Sequence, residues 1–112
     1  MVDQPFRSQW SFDVADYAAW RSQLEDVQTV LQQSAGFIDL QLLHSPDEAD
    51  RYLVQSTWKD VGSYRRATSA TAAKLIVWPF VANMLDLPST FETLLEVTAD
   101  TVVEYQSSVS ES

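Results

Sequence analysis

The spacing of apolar residues changes along the chain, and each change marks an element. Over residues 6–13, Phe6, Ser8, Trp10 and Phe12 fall on one face, while Arg7, Gln9, Ser11 and Asp13 fall on the other. A period of two predicts a half-buried strand. Asp13 stands where a helix N-cap belongs, with Asp16 at N3 and with Phe12 and Tyr17 placed for a hydrophobic staple. Tyr17, Trp20, Leu24, Val27 and Leu31 then recur at three- and four-residue steps and predict an amphipathic helix that Gly36 ends. Alternation resumes over 37–43 and again over 51–58. Between them the polar, proline-containing stretch 44–50 reads as a hairpin loop.

Tyr52, Val54, Ser56 and Trp58 share one face of the third strand. Asp60 caps the helix that follows, from Val61 to about Ala67, and residues 68–70 break it. Ser69 is placed to cap a further helical piece, which Pro79 interrupts, leaving 80–85 as a short third helix or turn. Beyond Pro88 a last strand is predicted over 90–97, where Phe91, Thr93, Leu95 and Val97 alternate with Thr90, Glu92, Leu94 and Glu96. In the tail, 101–105 suits a short strand or a partner contact, and the serine-rich, acidic 107–112 is expected to be mobile.

Strand, helix, strand, strand, helix, strand is the ferredoxin-like α+β order: a four-stranded antiparallel sheet with helices on one face. The strands carry apolar groups on both faces: Leu53 beside Val54, Leu94 beside Leu95, Phe37 beside Ile38. A second copy of the sheet is the simplest cover, so a homodimer through the sheet face, a dimeric α+β barrel, is expected.

Composition narrows the function classes. The 112 residues make a single domain, with a core over about 6–97 and a tail over 98–112. A net charge of -9 disfavours nucleic acid and anionic membrane surfaces as partners. The absence of cysteine removes disulfides, thiolate catalysis and cysteine-ligated metals. No basic-then-apolar leader opens the sequence, and the longest apolar run, Leu75-Ile76-Val77-Trp78, is too short to span a bilayer. A cytoplasmic location is the resulting expectation. Four tryptophans favour a core, pocket or interface built on large rings.

Several motifs together resemble a known family. The strand Tyr52-Leu53-Val54 ending in Trp58, the Asp60 helix start and the Ser69 break are similar to the antibiotic biosynthesis monooxygenase domain. Within it, Trp58-Lys59-Asp60-Val61-Gly62-Ser63-Tyr64-Arg65-Arg66-Ala67 resembles an actinobacterial subgroup with a W-x-D-V-G-S-Y-R-R-A signature, and Pro88-Ser89-Thr90-Phe91-Glu92 its lead into the final strand. The likeness covers about residues 6–97. It implies a dimeric α+β barrel, in a family whose members include cofactor-independent oxygenases of aromatics, haem-degrading enzymes and proteins with no known activity. The haem branch needs a histidine late in the second helical region, and Thr71-Ala72-Ala73-Lys74-Leu75-Ile76-Val77 contains none. His44, the sole histidine, lies at the hairpin loop. Haem degradation is therefore disfavoured.

The oxygenase branch requires an apolar pocket, donors for a phenolate, and exclusion of water. It needs no metal and no bound cofactor. Trp58, Tyr64, Trp78 and Phe80 are candidate pocket walls, Arg65 or Arg66 a candidate positive charge, and Asn83 a candidate donor. Adjacent on a helix, the two arginines project about 100° apart, so at most one faces inward. Trp58 and Tyr64 read first as core packing, the usual work of large rings. Asp47, Glu48 and Asp50 lack the spacing of a calcium loop and read as a solvated hairpin tip. Phosphate-loop, dinucleotide and nucleophile-elbow motifs are absent. The expectation is a monooxygenase acting on a hydrophobic phenolic molecule. The rival is a non-catalytic binding or structural dimer of the same fold.

Overall fold

A computed structural model describes residues 5–107. Its sheet is built around β1 (Phe6–Asp13), which pairs along its whole length with β3 (Arg51–Trp58), from Phe6 opposite Trp58 to Asp13 opposite Arg51. β2 (Phe37–His44) flanks β3, and the short β4 (Thr90–Glu92) flanks β1, giving the antiparallel order β2-β3-β1-β4. Helices α1 (Tyr17–Gln32), α2 (Val61–Ser69) and α3 (Thr71–Val81) complete the ferredoxin-like α+β fold.

Cross-strand pairing turns the sequence alternation into rows. On the helix face lie Phe6–Trp58–Phe37, Ser8–Ser56–Leu40 and Trp10–Val54–Leu42. Leu24, Val27 and Leu31 of α1, with Ala73, Val77 and Phe80 of α3, close the core over them. The opposite face carries Arg7–Thr57–Asp39, Gln9–Gln55–Gln41 and Ser11–Leu53–Leu43. It is largely polar, and Gln9 donates to Gln55 across it at 2.9 Å. Its apolar groups are Leu43, Leu53 and Phe91, the last opposite Arg7.

Four local expectations are corrected. The N-cap of α1 is Asp16, whose carboxylate accepts from Ala19 N at 3.2 Å. Asp13 stays in the strand because Arg51, its cross-strand partner, donates to it at 2.9 Å. With the cap displaced, Phe12 packs edge-on against Trp20, and Tyr17 stacks on Tyr52. Ser69 does not cap α3: its hydroxyl donates back to Arg65 O at 2.7 Å, and Ala70 takes the N-cap position without a side-chain bond. Pro79 lies inside α3, which runs on to Val81, so residues 80–85 form no separate helix. Close to the C-terminal end, a proline forfeits one helical hydrogen bond without disrupting the turns before it.

The final strand is also divided. Pairing with β1 stops at Glu92, and Thr93 N donates to Pro5 O at 3.0 Å, where the chain turns away. Beyond it β5 (Leu95–Val97) pairs with β6 (Val102–Glu104) in a separate two-stranded sheet. Leu94 and Leu95 therefore cover no face of the main sheet. The hairpin is moored to β1 by the Arg7–Glu96 ion pair at 3.3 Å, and within it the Tyr105 hydroxyl donates to Glu96 at 2.9 Å. That bond also holds the Tyr105 phenol above its ordinary range. Of the tail expected to be mobile, Ser107 bonds Glu92 at 2.9 Å, and 108–112 lie outside the described residues.

Candidate functional site

The signature that begins at Trp58 folds into a tightly tied corner. Gly36 adopts a left-handed φ of 86°, which a side chain rarely tolerates. A Cβ there would collide with the Ser63 side chain. The Gly36 carbonyl accepts from Lys59 N at 2.8 Å, just past the end of β3. Asp60 then caps α2, accepting from Ser63 N at 2.8 Å. Hydrogen bonds from the Ser63 backbone and side chain hold the Asp60 carboxyl below its usual range. The start of β2, the end of β3 and the start of α2 thus meet beside Trp58.

Trp58 is 0% exposed. Its indole N–H donates to Ser56 Oγ at 2.9 Å. Phe37 meets it edge-on with ring centroids 5.4 Å apart, and Tyr64 does so at 5.7 Å. Phe6 completes the group, 5.1 Å from Tyr64. The Tyr64 hydroxyl accepts from Ser8 Oγ at 3.2 Å. Ser8 and Ser56, both buried, are the polar members of this cluster. Their signal in the sequence is a small hydroxyl between large rings on an otherwise apolar strand face.

The remaining candidates do not converge on Trp58. Trp78 lies 49% exposed on α3, with its N–H donating to Thr68 O at 2.8 Å and Lys74 over its ring. Phe80 is buried at the opposite end of the core, against Phe12, Trp10 and Trp20. Arg65 and Arg66 are both exposed, and Arg66 donates to Ser63 Oγ at 3.3 Å. Asn83 is exposed in the turn after α3. Trp58 and Tyr64 are the only members of the candidate set that come together in one cluster among the described residues.

A hollow lies elsewhere under the helices. Between α1 and β2 runs a groove of about 330 Å³, with Arg21, Leu24, Gln28 and Gln32 on one wall and Phe37, Leu40 and Leu42 on the other. This volume is at the lower end of the range for small-molecule sites. Among the described residues Arg21 has no ion-pair partner, and its buried Nη1 has no hydrogen-bond partner. Phe37 belongs both to the groove and to the ring cluster. Arg21 escaped the sequence reading because, beside an apolar stripe, it looks like part of a solvated helix face.

Residues for histidine-ligated haem do not fit. The described helices contain no histidine, and no group of three His, Cys, Asp or Glu among the described residues could hold a metal ion. His44, at the end of β2, stacks on Tyr52 at 4.4 Å and places Nε2 2.8 Å from Ala49 O. No described helix is long and apolar enough to cross a membrane.

Comparison with solved structures supports the same architecture. SnoaB, a cofactor-independent oxygenase from Streptomyces nogalater, superposes with a TM-score of 0.70 at 17% identity, over 88% of this chain and 99% of that one. Rv0793 from Mycobacterium tuberculosis gives 0.63 at 14% identity, over 86% and 99%. The heme-degrading protein Rv3592 of the same organism gives 0.59 at 21% identity, over 84% and 99%. At such identities the likeness is one of fold. A search of curated proteins returns no match. The family model for antibiotic biosynthesis monooxygenases matches residues 14–77, more than half of the sequence and the stretch from α1 through most of α3, and the chain belongs to that family.

Proposed function

We propose that this protein is a cofactor-independent monooxygenase acting on a hydrophobic, phenolic aromatic molecule bound in the α1–β2 groove. The observation that carries the reading is an open groove on the helix side of a family-typical sheet, whose wall residue Phe37 also packs against Trp58. SnoaB, a cofactor-independent oxygenase, shares the fold. An electron-rich phenolate can give its own electron to dioxygen, so the protein's task is to bind, to hold the oxyanion and to exclude water. With an anthrone, whose enol tautomer is a phenol, the methylene carbon becomes a carbonyl. One oxygen atom stays on carbon, the other leaves as water with the two methylene hydrogens, and the substrate supplies all the electrons. Oxygen uptake with a panel of anthrone-type phenols tests this. Consumption above the protein-free rate is expected, and a rate equal to buffer across the panel contradicts it.

One observation favours the rival reading of a binding protein without catalysis. Trp58 is enclosed and its N–H is satisfied, as a structural tryptophan would be. Ligand binding without oxygen uptake would decide for it.

A homodimer belongs to either reading. The β5–β6 hairpin exposes Leu94, Leu95, Val97, Val102 and Val103, and a lone two-stranded hairpin is marginal in water. A second copy that covers these residues together with Leu43, Leu53 and Phe91 would satisfy both. Light scattering is expected to give twice the chain mass, and Val102→Asp to shift it toward one.

A further inference from the structure

Burying a guanidinium N–H without an acceptor is unfavourable, because water is lost and nothing replaces it. Arg21 Nη1 is in this state, and the Arg21 side chain lines the α1–β2 groove. Arg21 belongs to none of the ion pairs among the described residues, which join Arg7 to Glu96, and Arg51 to Asp13 and Glu48. Gln28 and Gln32 follow along the same wall of α1 and add amide donors. The opposite wall is hydrocarbon and aromatic, from Phe37, Leu40 and Leu42. One end of a ligand is thus asked to be an oxyanion and the rest to be apolar.

We propose that the α1–β2 groove is a receptor for an amphipathic organic oxyanion, with Arg21 as its anion-binding residue and Leu40, Leu42 and Phe37 as the bed for its apolar body. The ligand class is an aromatic carboxylate or phenolate, which share the same chemistry at Arg21: a delocalised oxygen anion accepting charged hydrogen bonds. This rests on the oxygenase reading only in identifying the anion with a substrate, since binding can be measured without oxidation. Under that reading Arg21 favours the ionised substrate, the form able to donate an electron to dioxygen.

The test uses 2-naphthoate, 2-naphtholate at pH 10 and the neutral methyl 2-naphthoate, titrated by calorimetry into the full chain. Naphthoate is expected to bind at least about ten-fold tighter than its ester, the ratio that one charge-assisted hydrogen bond supplies. Arg21→Gln should collapse that ratio toward one and leave ester binding in place, while Arg21→Lys retains part of it. Leu40→Trp, which fills the groove, should remove binding of both. Preference for naphthoate alone over naphtholate would assign the site to carboxylates, and equal preference to oxyanions in general. Either keeps the proposal. Equal affinity for naphthoate and ester, or unchanged naphthoate binding in Arg21→Gln, overturns it. Naphthoate binding together with no oxygen uptake across the anthrone panel would remove the oxygenase reading and leave the receptor standing. The thermal midpoint of unliganded Arg21→Gln separates ligand role from scaffold role: it should not fall.

Discussion

Two regions on the helix side of one sheet differ in how their polar groups are treated. At the Trp58 corner each indole, hydroxyl and capping carboxylate has a partner, and rings fill the space between them. In the α1–β2 groove, a few residues away through Phe37, a buried guanidinium nitrogen has none and the walls stand apart. Satisfied polar groups in a packed cluster fix a fold, whereas an unsatisfied one beside open space invites a ligand. On the proposed reading, the region with the strongest sequence signature is scaffold and the α1–β2 groove is the binding site.

Substitutions that strike the two regions should separate along this line. The largest expected effect is at Trp58: Trp58→Ala should cost about 3–5 kcal/mol of stability in urea unfolding, as for a large ring deleted from a core. If Trp58 instead lined a working pocket, ligand affinity would fall while stability changed little. Gly36→Ala comes next, at about 2 kcal/mol or more, because it combines a left-handed backbone with a clash against Ser63. A smaller loss, about 1 kcal/mol, is expected for Asp60→Ala, which removes the cap of α2. The pH dependence has a defined sign. The folded-state pKa of Asp60 is lowered, so its contribution is present above the ordinary carboxylate value of 3.8 and fades as pH falls through the depressed one. The gap between native and Asp60→Ala midpoints should thus close in acid and be constant from about pH 5 upward. Smallest of all, Arg21→Gln should leave unliganded stability unchanged or slightly raised, since it removes a half-buried charge whose Nη1 has no hydrogen-bond partner. A clear loss in thermal unfolding would mean that Arg21 supports the fold.

How much was legible in the sequence follows the same division. Period-two and three-to-four-residue spacing placed β1, α1 and β3, because their side chains answer to one buried face each; in β2 strict alternation fails, since a bulge between Phe37 and Asp39 brings Phe37 onto the face of Leu40 and Leu42 and leaves Ile38 exposed. Asp60 was readable as a cap because its acceptor lies three residues away. Asp13 was not, since Arg51 claims it across the sheet, a contact that depends on strand register. The strand expected over 90–97 failed for a related reason. Alternation persists through Thr93 and Leu94, but pairing with β1 ends at Glu92, and the same pattern serves the β5–β6 hairpin. Among the site candidates, Trp58 and Tyr64 were legible as neighbours from a six-residue strand-to-helix step. Trp78 and Asn83 sit on surfaces whose orientation depends on how α3 continues through Pro79. Arg21 could not be told from a solvated charge until β2 was placed opposite it.

Protein-detected NMR distinguishes the two regions most directly. With 2-naphthoate titrated into uniformly labelled protein, perturbations are expected to centre on the Arg21 guanidinium, the side-chain amides of Gln28 and Gln32, and the backbone of Leu40, with Phe37 as the furthest ring affected. Perturbations centred instead on the Trp58 indole and the amides of Ser8, Ser56 and Tyr64, with Arg21 and Gln28 unmoved, would contradict the assignment of the groove as the binding site.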